Sequence, residues 1–250
     1  MLNRPNLTAD VSVIIPALNE AAYLSRTLRQ LSCLHPPVRE VILVDGGSDD
    51  ETVAIAQAAG IKVIYADFPR RSHQMNLGAQ QATGQFLCFL HADTQVPDDL
   101  AAVIEKTLAN PAIACGGFIS LMTGPLRTHW GVSLHNFLKT YYAPLLFRPQ
   151  LFWRGCRLLF GDQVMFCPRS LFWQCGGFDA ELPIMEEADL CVRLSQLGRI
   201  CQVNRVVQSS NRRVAKWGPL KAHFIYLSIG CLWGLGVPAQ RLKRFYEEVR

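Results

Sequence analysis

Short apolar runs alternate with segments of helical periodicity through the first half of the chain. The apolar runs are rich in Val, Ile and Leu and end at Pro, Gly or polar residues, which is typical of buried strands. The segments between them repeat apolar residues every three or four positions, which predicts amphipathic helices. The pattern predicts strands over 11–15, 41–44, 62–66 and 86–90, and helices over 20–33, 49–59, 72–83 and 98–109.

Strands that alternate with helices at this spacing predict βαβ units, and therefore an α/β protein with a mostly parallel sheet covered on both faces. Ligands of such sheets bind at the carboxyl ends of the strands. The polar residues directly after the predicted strands are therefore the first candidates for a site. They occupy 19–20, 45–50 and 91–94.

The second half of the chain is less regular. Residues 128–160 are rich in aromatic residues and Leu, and we expect Pro144 and Pro149 to break this segment. The pattern further predicts a strand over 113–122, a loop entering a strand over 161–166, an amphipathic helix over 187–197 and a strand over 200–207.

Composition and charge narrow the classes of protein. The 250 residues are 50% hydrophobic and 18% charged, which is not a disordered composition. The net charge of +5 comes without a basic stripe of interleaved aromatics, so we expect no nucleic-acid partner. The nine cysteines form no Cys-x-x-Cys pair, which favours small buried side chains in a reducing cytosol. Residues 1–10 lack the apolar core of a secretory signal, and a cytoplasmic location is expected.

Polar residues and glycines follow the first two predicted strands. Asn19 and Glu20 carry an amide and a carboxylate that can hydrogen-bond a base. Asp45 can accept from a base N–H or from ribose hydroxyls, and Gly46 and Gly47 let the backbone approach a ligand closely. A helix cap at Asn19 and Glu20, and a tight turn at Asp45, are the structural alternatives, and each residue alone leaves the choice open.

His91 and Asp93 follow the fourth predicted strand. A carboxylate that faces a diphosphate calls for a divalent cation to neutralise the charge, and Asp93 is a suitable ligand for Mg²⁺ or Mn²⁺. An imidazole ligand from His91 suits Mn²⁺ better than Mg²⁺. A histidine that hydrogen-bonds backbone at the strand end is the alternative.

A cluster of carboxylates lies at the start of the predicted helix near residue 187, namely Glu186, Glu187 and Asp189. Acids at a helix N-terminus are stabilised by the helix dipole, and this is the structural alternative. Clustered carboxylates also raise one another's pKa, which a general base requires. Pro183, Ile184 and Met185 precede the cluster and indicate a partly covered site.

The ordered motifs Pro16-Ala-Leu-Asn-Glu20, Val44-Asp-Gly-Gly-Ser-Asp-Asp-Glu-Thr52, His91-Ala-Asp-Thr94 and Met185-Glu-Glu-Ala-Asp-Leu190 resemble those of family 2 inverting glycosyltransferases with the GT-A fold. The resemblance covers 11–213. Within the family, the chain is most similar to the bacterial branch associated with radical-SAM and selenium-linked genes. The implied donor is a nucleotide-diphosphate sugar, either a UDP-sugar or a related one, and the implied reaction is transfer to an acceptor hydroxyl.

The resemblance implies one role for each group of site residues. It also implies a domain over 1–213, with a nucleotide half (1–110) and an acceptor half (111–213), and a helical, aromatic-rich extension over 214–250. The residues that would contact the nucleotide are Pro16, Ala17, Asn19, Glu20, Asp45, Gly46, Ser48 and Arg71. The metal, Mn²⁺ or Mg²⁺, would be bound by Asp93 and His91, and the diphosphate by Arg212 and Arg213. The acceptor would lie near Gly161, Asp162 and Gln163, and the catalytic acids would be Glu187, Glu186 and Asp189.

The sequence departs from the family pattern at two catalytic positions. The usual Asp-x-Asp is His91-Ala92-Asp93, so the first carboxylate is absent. The usual Glu-Asp pair is Glu186-Glu187, in which the second acid is one methylene longer. Glu187 stands where the family has its general base, but the choice among Glu186, Glu187 and Asp189 stays open.

The C-terminal tail raises the question of a membrane. Residues 223–237 are mostly apolar but contain three glycines and end at Pro238, so we expect a core-docked or interfacial helix and not a spanning one. Cations flank this run, and Trp217, Trp233 and Tyr246 lie within or beside it, which suits an anionic membrane surface. The hypothesis is peripheral contact at the inner face of the plasma membrane with a lipid-linked acceptor; ordinary packing of the tail is the alternative.

Two other functions fit part of the pattern. A nucleotidyltransferase shares strand-end carboxylates and a nucleotide pocket, but it usually carries a Gly-rich, Lys-containing phosphate loop, which the segment 16–20 lacks. A catalytically inactive relative that binds nucleotide sugars is compatible with the missing first carboxylate and with the glutamate at 187.

Overall fold

The computed structural model of the chain describes residues 8–124 and 128–245. Residues 1–7 and 125–127, and 246–250 with Tyr246 of the predicted tail, lie outside the described residues. The strands are β1 (Ala9–Ala17), β2 (Val38–Asp45), β3 (Lys62–Tyr65), β4 (Phe86–Phe89), β5 (Ile113–Thr123), β6 (Phe166–Pro168) and β7 (Arg199–Ser210). The helices are α1 (Ala21–Ser32), α2 (Thr52–Ala58), α3 (Arg71–Gln81), α4 (Leu100–Leu108), α5 (Trp130–Phe147), α6 (Pro149–Trp153), α7 (Arg169–Gln174), α8 (Glu186–Leu194), α9 (Arg212–Trp217), α10 (Pro219–Gly234) and α11 (Ala239–Leu242).

The strands form one sheet in the order β3-β2-β1-β4-β6-β5-β7. Its neighbours pair in parallel except β6, which is antiparallel to both β4 and β5. This confirms the predicted α/β class with a mostly parallel sheet. Ala17 pairs with Asp45 and Ile14 pairs with Phe89, so β1, β2 and β4 end at the same edge.

Each face of the sheet buries one alternating set of side chains, because successive residues of a strand point to opposite faces. Val11, Val13 and Ile15 pack on one face with Leu24 and Leu28 of α1. On the other face, Ile14, Ile42 and Val44 pack with Met75 and Ala79 of α3. The continuous apolar runs of β1 and β2 follow from burial on both faces.

Helix α3 lies unusually close to the sheet at Gly78. A Cβ atom at this position would lie 2.5 Å from Ile14 Cγ2 and 3.1 Å from Val44 Cγ2. The glycine is therefore required by the close approach of the helix to β1 and β2.

Helix α2 begins later than the sequence predicts, at Thr52 and not at Asp49. The residues before it form a loop in which Asp50 Oδ1 accepts hydrogen bonds from Thr52 N at 2.9 Å and from Thr52 Oγ1 at 2.5 Å. Local side-chain bonds of this kind compete with helical backbone bonds. Helix α8 also differs from its prediction of 187–197, since it begins earlier, at Glu186, and ends earlier, at Leu194.

The expected break at Pro144 is wrong, because α5 continues through it as a helix of 18 residues. Proline removes the N–H that would bond the carbonyl of Thr140, four residues earlier. The Leu158 N–H donates to that carbonyl instead, at 3.2 Å. A chain segment from outside the helix thus satisfies the group that Pro144 leaves without its usual donor.

The tail packs on α5 through α10. The rings of His135 on α5 and His223 on α10 lie 4.2 Å apart between centroids, and the Phe147 ring lies against Gly234. In the described ranges, no helix is both long enough and apolar enough to cross a bilayer.

Candidate active site

A cavity of about 550 Å³ lies beside the carboxyl ends of β1 and β4, with α5, α8 and α10 on its other sides. The predicted site residues that line it are Pro16, Ala17, Glu20, Arg71, His91, Asp93, Gly161, Asp162, Glu186, Glu187, Arg212 and Arg213. The remaining predicted residues, Asn19, Asp45, Gly46, Ser48, Gln163 and Asp189, are not among the lining residues.

Asp45 is engaged within its own turn. Its side chain accepts from Gly47 N at 2.9 Å, from Ser48 N at 3.0 Å and from Ser48 Oγ at 2.5 Å, and the residue is 2% exposed. These bonds use three of the roughly four acceptor sites of the carboxylate. The geometry matches the tight turn that the sequence left as an alternative, and a role of Asp45 in nucleotide contact stays a prediction.

Asn19 and Ser48 connect the loop after β1 with the loop after β2. Asn19 adopts a left-handed φ of 57°, donates from its N–H to Ser48 Oγ at 2.9 Å, and accepts from Asp49 N at 2.9 Å. Gln74 of α3 donates to the carbonyls of Ala17 and Val44, at 2.8 Å each. These bonds fix the backbone on which Pro16, Ala17 and Glu20 face the cavity.

Arg212 connects the two acidic residues on the donor side. Its Nη2 lies 2.7 Å from Asp93 Oδ2 and 3.0 Å from Glu20 Oε1. The guanidinium also lies 4.8 Å from the centroid of the Tyr23 ring. Burial raises the pKa of Glu20, and the hydrogen bond from Arg212 opposes this increase. The first residue of α9 thus holds together the ends of β1 and β4.

The donor set at His91 and Asp93 fits a divalent cation. His91 Nε2 is buried and has no hydrogen-bond partner among the residues that the structure describes. Burial, and then the charges of Arg71, Arg213 and Arg212, keep the pKa of His91 well below its ordinary value, so the imidazole is neutral and able to bind a metal. In the described parts of the chain, no group of three or more acidic, His or Cys side chains could hold a metal by itself. Diphosphate oxygens and water would complete the coordination, as is usual for Mg²⁺.

Glu187 and His91 converge on the backbone of Gly161. A Cβ atom at Gly161 would lie 2.5 Å from Glu187 Oε1 and 2.6 Å from His91 Nε2. Only a residue without a side chain fits there, because either contact would displace a buried polar group. Gly161 therefore brings the donor side and the acid pair to one point of the cavity.

The acid pair begins α8 after Met185, which has a left-handed φ of 68°. Glu187 is 5% exposed, and burial, followed by the charge of Glu186, raises its pKa to about 7. Arg71 opposes this increase: its Nη1 lies 3.5 Å from Glu187 Oε1 and 3.6 Å from Glu186 Oε1. A carboxylate in this environment exchanges a proton near neutral pH.

Asp189 and Gln163 do not line the cavity and instead contact other side chains of the protein. Asp189 pairs with Arg193 Nη2 at 2.7 Å, and Arg193 Nη1 donates to the carbonyls of Cys175 and Gly177. Gln163 is fully buried and donates to Thr140 Oγ1 at 3.0 Å.

The sequence profile of glycosyl transferase family 2 matches residues 12–173, which is more than half of the chain. The chain belongs to glycosyl transferase family 2. As a member, it is similar to the PGL/p-HBAD biosynthesis glycosyltransferase of Mycobacterium tuberculosis, at 29% identity over 197 residues that cover 73% of this chain and 68% of the relative. It is also 31% identical over 133 residues to glucosyl-3-phosphoglycerate synthase of the same organism, covering 53% of this chain and 37% of the relative.

Solved structures share the fold of this family 2 enzyme. The same synthase, in complex with Mn²⁺, UDP and glucosyl-3-phosphoglycerate, superposes with a TM-score of 0.67 at 21% identity, covering 92% of this chain and 81% of that chain. A mannosyltransferase from Pyrobaculum calidifontis, in complex with GDP-Man and Mn²⁺, gives a TM-score of 0.69 at 19% identity, covering 89% and 63%. The predicted family, the predicted GT-A fold and the predicted class of enzyme, a glycosyltransferase, are confirmed.

Sequence reasoning missed the residues that α5 and the tail contribute to this family 2 site. Asn136 and Lys139 line the cavity from α5, and Tyr226 and Lys243 line it from the tail. Lys139 Nζ lies 3.5 Å from the centroid of the Phe160 ring, and burial lowers its pKa to about 8. The polar positions 135, 136, 139 and 140 follow helical spacing and could have indicated a polar face within the aromatic segment.

Proposed function

We propose that this glycosyltransferase transfers a sugar from a UDP-sugar to an acceptor hydroxyl with inversion, and that Glu187 is the general base. The observation that carries the proposal is the position of Glu187, a buried carboxylate that meets His91 at Gly161 and lines the same cavity as Asp93. A pKa of about 7 suits a base that works near neutral pH.

Glu187 is favoured over the other two acids by their partners. Asp189 does not line the cavity and is held by Arg193 at 2.7 Å. Glu186 lines the cavity, but it is Glu187 whose Oε1 would meet a Cβ at Gly161, on the side of His91. We therefore assign Glu186 to holding Arg71 and to raising the pKa of Glu187.

On the donor side, Pro16, Ala17 and Glu20 would contact the nucleoside, and the loop network of Asn19, Asp45, Gly46 and Ser48 would support them from behind. Asp93 and His91 would hold Mn²⁺ or Mg²⁺, which would supply positive charge to the leaving diphosphate. The similar synthase structures with UDP and either Mn²⁺ or Mg²⁺ support this assignment.

In the proposed step, Glu187 accepts the proton of the acceptor hydroxyl as the hydroxyl oxygen bonds to the anomeric carbon. The bond from this carbon to the diphosphate oxygen breaks on the opposite face, and its electron pair leaves with the diphosphate. Attack and departure on opposite faces invert the configuration. Arg212 and Arg213 lie in the cavity, where their guanidinium groups can pair with the departing charge.

On the acceptor side, Gly161 and Asp162 line the cavity, and Asp162 accepts a hydrogen bond from Asn136. We propose that the acceptor is lipid-linked and that the enzyme acts at the cytoplasmic face of a membrane.

We also propose a catalytic domain over 1–213, with a nucleotide half to residue 110, an acceptor half from 111, and an extension over 214–250. The motifs at 91–93, 161–163 and 210–213 support assignment to the branch associated with radical-SAM genes.

Glu187→Gln should lower kcat by about a hundredfold to ten-thousandfold and leave the Kd for UDP with Mn²⁺ unchanged, because the amide keeps the shape but cannot accept the proton. Transfer and hydrolysis would be measured with UDP-, GDP- and TDP-sugars, and nucleotide binding by calorimetry. Glu181→Gln is the matched control, since this carboxylate lines the cavity but is exposed, and it should keep its turnover.

Full turnover of Glu187→Gln would refute the assignment of the base. Nucleotide binding by the wild type without transfer or hydrolysis of any donor would instead favour the inactive relative. Formation of a nucleotide sugar from a nucleoside triphosphate and a sugar phosphate would favour the nucleotidyltransferase.

A further inference from the structure

The large exposed hydrophobic side chains are concentrated on α5 and α10. On α5, Trp130, Leu134 and Leu138 are exposed at spacings of four residues, and Trp130 is 69% exposed. On α10, Leu220, Phe224 and Leu227 are exposed at spacings of four and three, and Phe224 is 71% exposed. Each row follows one side of its helix.

The two helices run in parallel. His135 of α5 contacts His223 of α10 near the beginning of both helices, and Phe147 lies against Gly234 where both helices end. Lys139 is the nearest side chain to Gly230, between these two pairs. Contacts that advance along both helices in the same order define a parallel pair.

The two exposed rows point in the same direction. On α5, Leu134 precedes the contact residue His135 by one position, and on α10, Phe224 follows the contact residue His223 by one position. One residue corresponds to a rotation of about 100° around the helix axis. The contact rows of the two parallel helices face each other. Rotations of opposite sense away from these contact rows therefore turn both exposed rows to the same side of the helix pair. We call this surface, formed by Trp130, Leu134, Leu138, Leu220, Phe224 and Leu227, the α5–α10 face.

The helices of the α5–α10 face and the segments that follow them in sequence carry cations but no carboxylates. Residues 128–161 and 190–245 contain no Asp or Glu, although the whole chain has 20. Lys216, Lys221, Arg241, Lys243 and Arg244 are exposed, and none of them forms a salt bridge with another described residue. An apolar helix face in a region of the chain that carries only cations is complementary to an anionic lipid surface.

We propose that the α5–α10 face docks on an anionic lipid bilayer, with both helices lying in the plane of the interface. The apolar rows would enter the boundary between headgroups and acyl chains, and the cations would contact lipid phosphates. A second copy of the chain is a poorer occupant, because two such faces would bring like charges together.

Docking would place the helix pair between the bilayer and the cavity. Asn136 and Lys139 of α5, and Tyr226 and Ile229 of α10, line the cavity. On α5, Asn136 follows His135 by one position whereas Leu134 precedes it, so the cavity and the exposed row lie on opposite sides of the helix. The docking proposal does not depend on the proposed transferase function.

The experiment is sedimentation of the full chain with vesicles of phosphatidylcholine, with and without the anionic lipid phosphatidylglycerol. The wild type should bind only the anionic vesicles and lose binding in high salt, because exposed charges are screened. Leu134→Ser/Phe224→Ser should lower the partition coefficient by about tenfold. Tyr65→Ser/Val206→Ser, which alters hydrophobic residues exposed elsewhere, should bind as the wild type does.

Circular dichroism and calorimetry with UDP and Mn²⁺ would show that the variants are folded, independently of vesicle binding. If the first double variant does not fold, quenching of Trp130 by brominated lipid, measured against Trp130→Phe, decides instead, and absence of quenching overturns the proposal. It is also overturned if the wild type fails to bind anionic vesicles at low salt, or if both double variants bind equally. A wild-type dimer that Leu134→Ser/Phe224→Ser makes monomeric would assign the face to a second copy.

Discussion

At the scale of single residues, Arg212 holds the position that a cation would need at Asp93. Its guanidinium lies 2.7 Å from Asp93 Oδ2 and 3.0 Å from Glu20 Oε1. A divalent ion at Asp93 and this arginine would repel each other, so binding of the ion requires Arg212 to move toward a new anionic partner. The diphosphate of the donor offers one.

Arg212→Gln should therefore tighten binding of Mn²⁺ to the nucleotide-free protein by roughly tenfold, a typical size for competition between two sites. Electron paramagnetic resonance of free Mn²⁺ would measure it. Arg205→Gln, which breaks the exposed pair with Asp99, is the control and should leave the affinity unchanged. Equal or weaker Mn²⁺ affinity in Arg212→Gln would show that the arginine does not compete with the cation.

The acid pair predicts how the rate depends on pH. Glu187 must be deprotonated to act as a base, and its pKa is raised to about 7, so kcat/KM should fall as the pH falls through 7. Glu186→Gln removes a neighbouring negative charge and should shift this acid limb to lower pH. Arg71→Gln removes a positive charge and should shift it to higher pH. Profiles in which neither variant moves the limb would assign it to another group.

At the scale of elements, the approach of α3 to the sheet depends on a missing side chain. Gly78→Ala would place a Cβ 2.5 Å from Ile14 Cγ2, and we expect a loss of about 1–3 kcal/mol in the free energy of unfolding. Gly131→Ala in α5 is the matched control, because nothing lies within 4 Å of its Cβ position, and it should gain about 0.5–1 kcal/mol from helix propensity. Chemical denaturation would measure both values, and similar stabilities would contradict the assigned close approach.

The elements that the sequence predicts well are those that local periodicity determines. Strands β1 and β2 are buried on both faces, so their apolar runs are readable without knowledge of the fold. Helix α5 was missed because Pro144 was expected to break it, whereas the carbonyl of Thr140, which Pro144 leaves without its usual donor, accepts from Leu158. That bond joins residues 18 positions apart, and no local pattern records it.

At the scale of the whole molecule, the strand-end residues could be predicted because the topology of a parallel sheet brings its carboxyl ends together. The topology therefore indicated Glu20 and Asp93, whereas the carboxylate cluster at the start of α8 indicated Glu187, and all three line one cavity. The sequence could not indicate that Asp45 also closes its own turn, since a carboxylate that binds ligand and one that closes a turn look alike in sequence. It also missed Lys139, which reaches the cavity only because α5 packs over it.

The uneven distribution of carboxylates along the chain also has a consequence before any contact is made. Of the 20 acidic residues, 18 precede residue 190, and the other two are Glu247 and Glu248. We expect this distribution to give the molecule an electric dipole. In the field of a negatively charged layer it would rotate during diffusion and arrive with its cationic side forward, which raises the fraction of productive encounters. The same torque would orient the protein on a cation-exchange resin or on a negatively charged sensor chip.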